Sequence, residues 1–274
     1  MKFLNLGCGN RYNTDWVNID FKSSSKLVIE HNLLNGIPFP GEEFDVVYHS
    51  HVLEHFSKTQ AVTFLKECHR VLKSGGIIRI AVPDLEKIAR SYLENLDRAL
   101  QGDFEASKNY EWIMLELYDQ AVRNFSGGNM AKYLYKPEIN EAFVYERLGN
   151  EAKDIREAFF NKQGTSDTEI GVIPVSKARK FFKMEFYRNK LKQFLFPEEL
   201  KFIELGKFRL GGEVHQWMYD RYSLTKLLTE LDFIEIDVKP AFDSNIPEWN
   251  KFELESKNGL VFKPDSLFIE GIKK

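Results

Sequence analysis

The sequence predicts an α/β protein: one open, mostly parallel sheet interrupted by a long helical insertion. Three observations predict it. Short, near-continuous apolar segments recur through the first 85 residues, the pattern of strands covered on both faces. The first of them runs directly into a glycine turn, Gly7-Cys8-Gly9. From residue 85 to about 215 the pattern changes to helical spacing rich in Leu, Glu, Lys and aromatics, and strand-like segments return only afterwards.

The elements follow in order. Residues 3–6 read as a buried strand, 17–20 as the second, 27–31 as the third and 44–48 as the fourth. Residues 57–73 predict a helix: Ser57 and Gln60 have capping-box spacing, and Val62, Leu65, Cys68, Val71 and Leu72 share one face. Gly75-Gly76 is the expected stop. Residues 77–82, Ile-Ile-Arg-Ile-Ala-Val, read as an apolar fifth strand ending at Pro83-Asp84. After the insertion, Ser223 is the expected N-cap of a helix carrying Leu224, Leu227, Leu228 and Leu231. Residues 233–238 and 267–272 are the final strands. The expected division is a core of residues 1–85 with 216–274 and an inserted unit of residues 86–215.

Two crossovers are short. Gly9 to Val17 leaves about one helical turn and Phe21 to Lys26 leaves none, where a parallel crossover normally takes a dozen or more residues. Six extended residues can just span the ~13 Å length of a four-residue strand. One face near strands 1–3 should therefore be thinly covered, shielded by the insertion or by a second subunit. A homodimer is the assembly this suggests.

Bulk properties exclude several classes. The chain has 274 residues, 43% of them hydrophobic, enough for a large core. A net charge of −3 argues against general nucleic-acid binding. No apolar run approaches the ~18 residues of a membrane span, and Met1-Lys2 leads straight into the first strand without room for a signal peptide. With only Cys8 and Cys68, no disulfide framework is expected, and the cytoplasm is the expected compartment.

The glycine turn carries the chemistry. Missing side chains let a ligand approach the backbone at the carboxyl end of a parallel strand. Asp20 ends the second strand, where a carboxylate can accept from both hydroxyls of a ribose. A dinucleotide fingerprint would need glycine at position 12, which is Tyr12, and an acid ~20 residues on. Asp20 comes eleven residues after Gly9. A nucleoside cofactor with no phosphates to cradle fits better than a nicotinamide dinucleotide.

Six segments in order extend the pattern: Leu6-Gly7-Cys8-Gly9; Asn18-Ile19-Asp20; Pro38-Phe39-Pro40 leading to Phe44-Asp45-Val46-Val47; Ser50-His51-Val52-Leu53-Glu54-His55; Arg70-Val71-Leu72-Lys73-Ser74-Gly75-Gly76; and Val82-Pro83-Asp84-Leu85. This succession resembles the class I methyltransferases, specifically the type 11 group. The resemblance implies a Rossmann-like sheet with an antiparallel last strand and S-adenosylmethionine as cofactor. It implies that Gly7 and Gly9 approach the methionine end, that Asp20 meets the ribose and that Asn32 and Leu33 lie near the adenine, with Leu6, Cys8 and Phe21 as further cofactor contacts. His49, Ser50 and His51 would flank the sulfonium. Many members carry Asp where this chain has Asn32, so an adenine contact there would use the amide oxygen. Residues 211–220 and 263–270 resemble poorly characterised members of the group, which is often associated with glycan or secondary-metabolite pathways.

Transfer from a sulfonium needs alignment, exclusion of water and, for an acceptor of high pKa, a base. His51, Asp84 and His215 are the candidate bases. No spacing motif for a metal is present; three potential ligands near one cleft, Asp84 among them, permit a divalent ion without arguing for one. The insertion is the expected lid and source of acceptor specificity. Within it, Trp112, Tyr118, Asp119, Arg123 and the turn Ser126-Gly127-Gly128-Asn129 are candidate acceptor contacts. Residues 177–209 hold ten Lys/Arg against four Glu, which suggests an anionic acceptor if it is not a solvated helix face. The expected activity is O-methylation of a sugar, a nucleotide-linked sugar or another small hydroxylated metabolite. A non-catalytic cofactor-binding regulator and an RNA or protein methyltransferase are the alternatives.

Overall fold

The computed structural model describes residues 1–23, 25–163 and 197–274. Seven strands form the main sheet: β1 (Phe3–Leu6), β2 (Val17–Asp20), β3 (Val28–Glu30), β4 (Phe44–Ser50), β5 (Leu72–Pro83), β6 (Phe233–Val238) and β9 (Ser266–Lys273). A small hairpin, β7 (Ser256–Lys257) with β8 (Leu260–Val261), lies apart from it. The sheet order is β3-β2-β1-β4-β5-β9-β6. The first five strands are parallel, and β9 runs antiparallel to both β5 and β6. This is the expected Rossmann-like sheet with its last strand reversed. The chain changes direction across the sheet between β1 and β4, so their carboxyl ends open a crevice at that switch point.

One face is covered by α1 (Lys58–Val71) and α8 (Arg221–Glu230). The Ser57–Gln60 capping box forms as expected. Phe64, Leu65, Cys68 and Val71 of α1 pack with Leu224 and Leu228 of α8 onto Leu4, Leu6, Ile19, Val47, Ile78 and Ile80. Two predicted boundaries shift. Helix α1 ends at Val71, because Leu72 already pairs with Phe44, and Gly75-Gly76 lie in an irregularity of β5 rather than at a helix end. The N-cap of α8 is Asp220, and Ser223 is its capping-box partner.

The other face is covered at β1 and β4 from within the chain. The segment between β6 and β9 returns over it, and Ile246, Trp249, Phe252 and Leu254 pack on Trp16, Val46, Tyr48 and Ile77. Phe3 stacks on Trp16 at 4.9 Å. This cover reaches β1 and β4, whereas at the β3 edge Leu27 and Ile29 stay exposed.

This shield is pinned by a charge inside the sheet. Arg79, read from sequence as part of an apolar run, is fully buried in β5. It donates to Glu270, its cross-strand partner on β9, at 2.6 Å, and to both carboxylate oxygens of Glu255. It also donates to the carbonyls of Asp243 (2.9 Å) and Pro240 (3.1 Å), and its guanidinium lies 4.5 Å from the Trp249 ring.

Between β5 and α8 lie α2 (Leu85–Leu100), α3 (Phe104–Val122), α4 (Gly128–Leu134), α5 (Glu141–Leu148), α6 (Asn150–Gln163) and α7 (Pro197–Arg209). They hold a cluster of their own around Ile88, Trp112, Ile113, Met130, Leu134 and Val144. Among the described residues, no helix is long and apolar enough to cross a membrane. Cys8 and Cys68 are both free and buried.

Candidate active site

Two cavities lie above the carboxyl ends of β1 and β4. The first, of about 660 Å³, is lined by Gly7, Cys8 and Gly9, by Tyr48, Ser50 and His51, and by Glu151, Asp154 and Ile155 of α6. Its size suits a nucleoside-sized ligand. Gly7 and Gly9 have left-handed φ values of 65° and 53°. A side chain at Gly7 would collide with Val52, whereas the space beside Gly9 is open. Asp20 accepts from the Gly9 N–H at 2.7 Å and from the Lys22 N–H at 3.2 Å. A carboxylate has about four lone-pair sites, so Asp20 retains capacity for a ligand hydroxyl. Replacing Gly7 with Ala is expected to cost about 1–3 kcal/mol from left-handed strain and overpacking. Chemical denaturation checks this, and adding Val52→Ala should restore only the packing part.

The second cavity, of about 410 Å³, lies beneath the insertion. His51, Glu54, His55 and Pro83 form its floor, with His215 beside them. Trp112, Arg123, Gly127, Met130 and Leu134 come from the helices above. His51 lines both cavities. It follows β4 in a left-handed conformation (φ 54°), uncommon for any residue but glycine and a form of strain that gathers at functional sites. Its backbone N–H donates to Ala81 O at 2.8 Å. Its Nε2 lies 2.9 Å from Ser266 Oγ and its Nδ1 lies 3.2 Å from Glu54 Oε1.

Glu54 has no exposed surface. Burial opposes its charge, but His51, with His215 and His55, holds the carboxyl down at about 2. His215 is 8% exposed, with Nε2 4.0 Å from Glu54 Oε1, and burial lowers it to about 3, so its ring is neutral. His55 meets His215 edge-on at 4.8 Å.

The predicted residues fall into three groups. Gly7, Cys8, Gly9, Ser50 and His51 line the first cavity, and His51 and His215 share the second. Asp20, Phe21, Asn32 and Leu33 lie at the ends of β2 and β3, outside the described lining. Asn32 Oδ1 accepts from Leu34 N at 3.0 Å, so one of its lone pairs is committed to the short turn it caps. The side chains of the third group turn away from the cleft. Leu6 belongs to the core. His49 sits within β4 and is completely buried, its ring 5.1 Å from Phe64 on the α1 face, so its side chain does not reach the cleft. Burial lowers its pKa to about 4.

Asp84 is not brought to His51. Its side chain caps α2, accepting from Glu86 and Lys87 amides, and it faces a separate hollow with Val238 and Phe268. Within the insertion, Trp112, Arg123 and Gly127 reach the cavity, whereas Tyr118 is exposed. Asp119 is buried, accepting from the Asn129 and Met130 amides at the start of α4 and from Arg123. The basic residues from Lys177 to Lys192 lie outside the described residues. Arg209 is taken up by carbonyls and Asn124 at the end of α3. From sequence alone Glu54 carries no task, and His55 reads as packing against or capping the helix that follows. Their signal was adjacency to His51, which becomes informative once His215 is seen to arrive from the far side of the insertion.

Residues 4–80 match the methyltransferase domain family of type 11. A protein of Mycolicibacterium smegmatis, described as a probable S-adenosylmethionine-dependent methyltransferase, is 28% identical over 98 residues. That match covers 30% of this chain and 37% of the relative's length. Among solved structures, a SAM-dependent methyltransferase from Archaeoglobus fulgidus aligns over 99% of this chain and 86% of its own, at 12% identity and a TM-score of 0.38. One from Thermotoga maritima, described as a possible histamine N-methyltransferase, aligns over 100% and 82% at 12% identity and a TM-score of 0.37. Such TM-scores leave the assignment to the strand order and the sequence match. Both support a class I methyltransferase of the type 11 group, the match in sequence being confined to residues 4–80.

Proposed function

We propose that the protein uses S-adenosylmethionine to methylate an oxygen of a small hydroxylated acceptor. The observation that carries this reading is the junction at His51, the side chain placed between a glycine-turn cleft and a second cavity roofed by helices. The open turn fits the cofactor: Gly7, Cys8 and Gly9 would hold its methionine end and Asp20 its ribose, with Phe21, Asn32 and Leu33 towards the adenine. When bound, the cofactor supplies an activated methyl group. His51 is the base. With Nδ1 3.2 Å from the Glu54 carboxylate, whose charge favours the proton on that nitrogen, Nε2 is left as an acceptor, and a substrate hydroxyl displacing Ser266 would deliver its proton there. His215 shapes the acceptor side. Residues 86–215 serve as the lid that excludes water over a core of residues 1–85 and 216–274.

The acceptor cavity favours a neutral polyol such as a sugar over a nucleotide-linked one. Its described lining includes Glu54, Glu151, Glu213 and Asp265 against Arg123 and Lys263, and Arg123 is held by Asp119 and Glu213.

Isothermal titration of the protein with S-adenosylmethionine, S-adenosylhomocysteine and NAD tests the cofactor. Binding of both adenosyl ligands is expected, about 10–100-fold weaker in Asp20→Ala for loss of charged hydrogen bonds worth ~1.5–3 kcal/mol. Binding of NAD alone, or of none, would sink the reading. Adenosyl binding with no transfer to any polyol offered would favour a non-catalytic regulator.

A further inference from the structure

The floor of the second cavity carries more than a base. One ligand atom from each of Glu54, His55 and His215 lies within 4.8 Å of the others. We propose that these three residues bind one divalent transition-metal ion of the zinc class, with its open positions facing the second cavity. Use of the ion to orient an acceptor hydroxyl rests on the methyl-transfer reading, whereas the binding site itself does not.

Unmet polar capacity supports the site. Glu54 is fully buried, and neither carboxylate oxygen has a hydrogen-bond partner among the described residues. Its approach to His51 at 3.2 Å is a charge contact without hydrogen-bond alignment. His55 Nδ1 is likewise buried without a partner. Buried carboxylates and imidazoles left in this state are costly unless paired or coordinated. Arg123, a cation of the same cavity, pairs through its terminal nitrogens with Asp119 and Glu213, leaving its Nε buried without a partner.

The backbone builds the site before any ion arrives. Gln216 and Trp217 amides donate to the Glu54 carbonyl at 2.7 and 3.2 Å, and the His215 amide donates to Gln120 O at 3.0 Å. The turn carrying Glu54 and His55 is thus tied to the segment carrying His215. Zinc ligands lie ~2.0–2.2 Å from the metal, so neighbouring ligand atoms stand about 3–3.5 Å apart. Small side-chain rotations close the present spacing. Two imidazoles and a carboxylate suit zinc, iron(II) or cobalt(II), whereas magnesium and calcium prefer all-oxygen sets. His51 beside Glu54 would steady the carboxylate as an outer partner. A search of sequence spacing misses the set, because His215 comes from the far end of the insertion.

Cobalt(II) and zinc titrations of the untagged, chelator-stripped full chain test the site, with the cobalt d–d band and calorimetry as readouts. One equivalent per chain is expected. Glu54→Gln, His55→Gln and His215→Gln should each weaken binding by roughly 100-fold, at or beyond the loss from removing an outer partner. Wild-type protein that takes up no cobalt, or three variants that bind as it does, would overturn the proposal. Circular dichroism and S-adenosylhomocysteine titration establish that each variant is folded, and His55→Gln, at a partly exposed ring, is the variant to rely on if the buried ones fail. Loss of adenosyl binding in the wild type would refute the cofactor reading and leave the metal result standing.

Discussion

Replacing His51 with Asn is expected to lower turnover by about 10²–10⁴-fold, the usual contribution of a positioned base, while S-adenosylhomocysteine binds as tightly as before. Asn suits the test because it tolerates the left-handed conformation that His51 adopts at φ 54°. The backbone between β4 and the following turn, and the hydrogen bond from the residue 51 N–H to Ala81 O, should therefore persist. What disappears is the imidazole between Glu54 and Ser266. Single-turnover transfer from labelled cofactor to the acceptor, compared with the Kd for S-adenosylhomocysteine, separates the two roles. Turnover within about tenfold of wild type would mean that His51 only seals the junction between the cavities, and that the base must be sought elsewhere.

Replacing Arg79 with Met is expected to destabilise the fold by about 3–5 kcal/mol, the cost of leaving a buried ion pair without one partner. Met fills much of the same volume, so the loss reports on charge rather than on a void. Glu255 and Glu270 would both remain buried and unpaired. Burial, partly opposed by Arg79, already raises Glu255 from 4.5 to about 7. A raised carboxyl pKa means that the folded state binds the extra proton, so this contribution to stability falls as pH rises from 4.5 through 7. In the variant the opposing pull of the guanidinium is gone, and the defect should be largest above pH 7 and shrink towards pH 4.5. Denaturant unfolding at several pH values measures it. A loss under about 1 kcal/mol would mean that the cluster behaves as a solvated surface pair.

Local order made much of the fold legible. The apolar runs of β1, β4 and β5, the Ser57 capping box and the Leu6-to-Gly9 turn are each specified by neighbours in sequence, so periodicity and capping chemistry were enough to place them. The same holds for the cofactor side of the site, where Gly7, Gly9 and Ser50 follow directly from strand ends.

Features decided by distant partners were not legible. Arg79 in an apolar run looks like an anomaly until Glu255 and Glu270 arrive from the C-terminal region. Asp84 looks like a candidate base until the amides of α2 consume its oxygen, and His49 looks like a ligand neighbour until the pleat turns it onto Phe64. The cover over β1 and β4 depended on a segment that follows β6. The sequence by itself determined where the strands fall along the chain, the glycine turn and the helical character of the insertion, because these rest on short-range backbone preferences. Only the tertiary structure decided which polar groups face a cavity and which are spent on capping or buried pairing, because that choice depends on who else needs a partner in the same desolvated space.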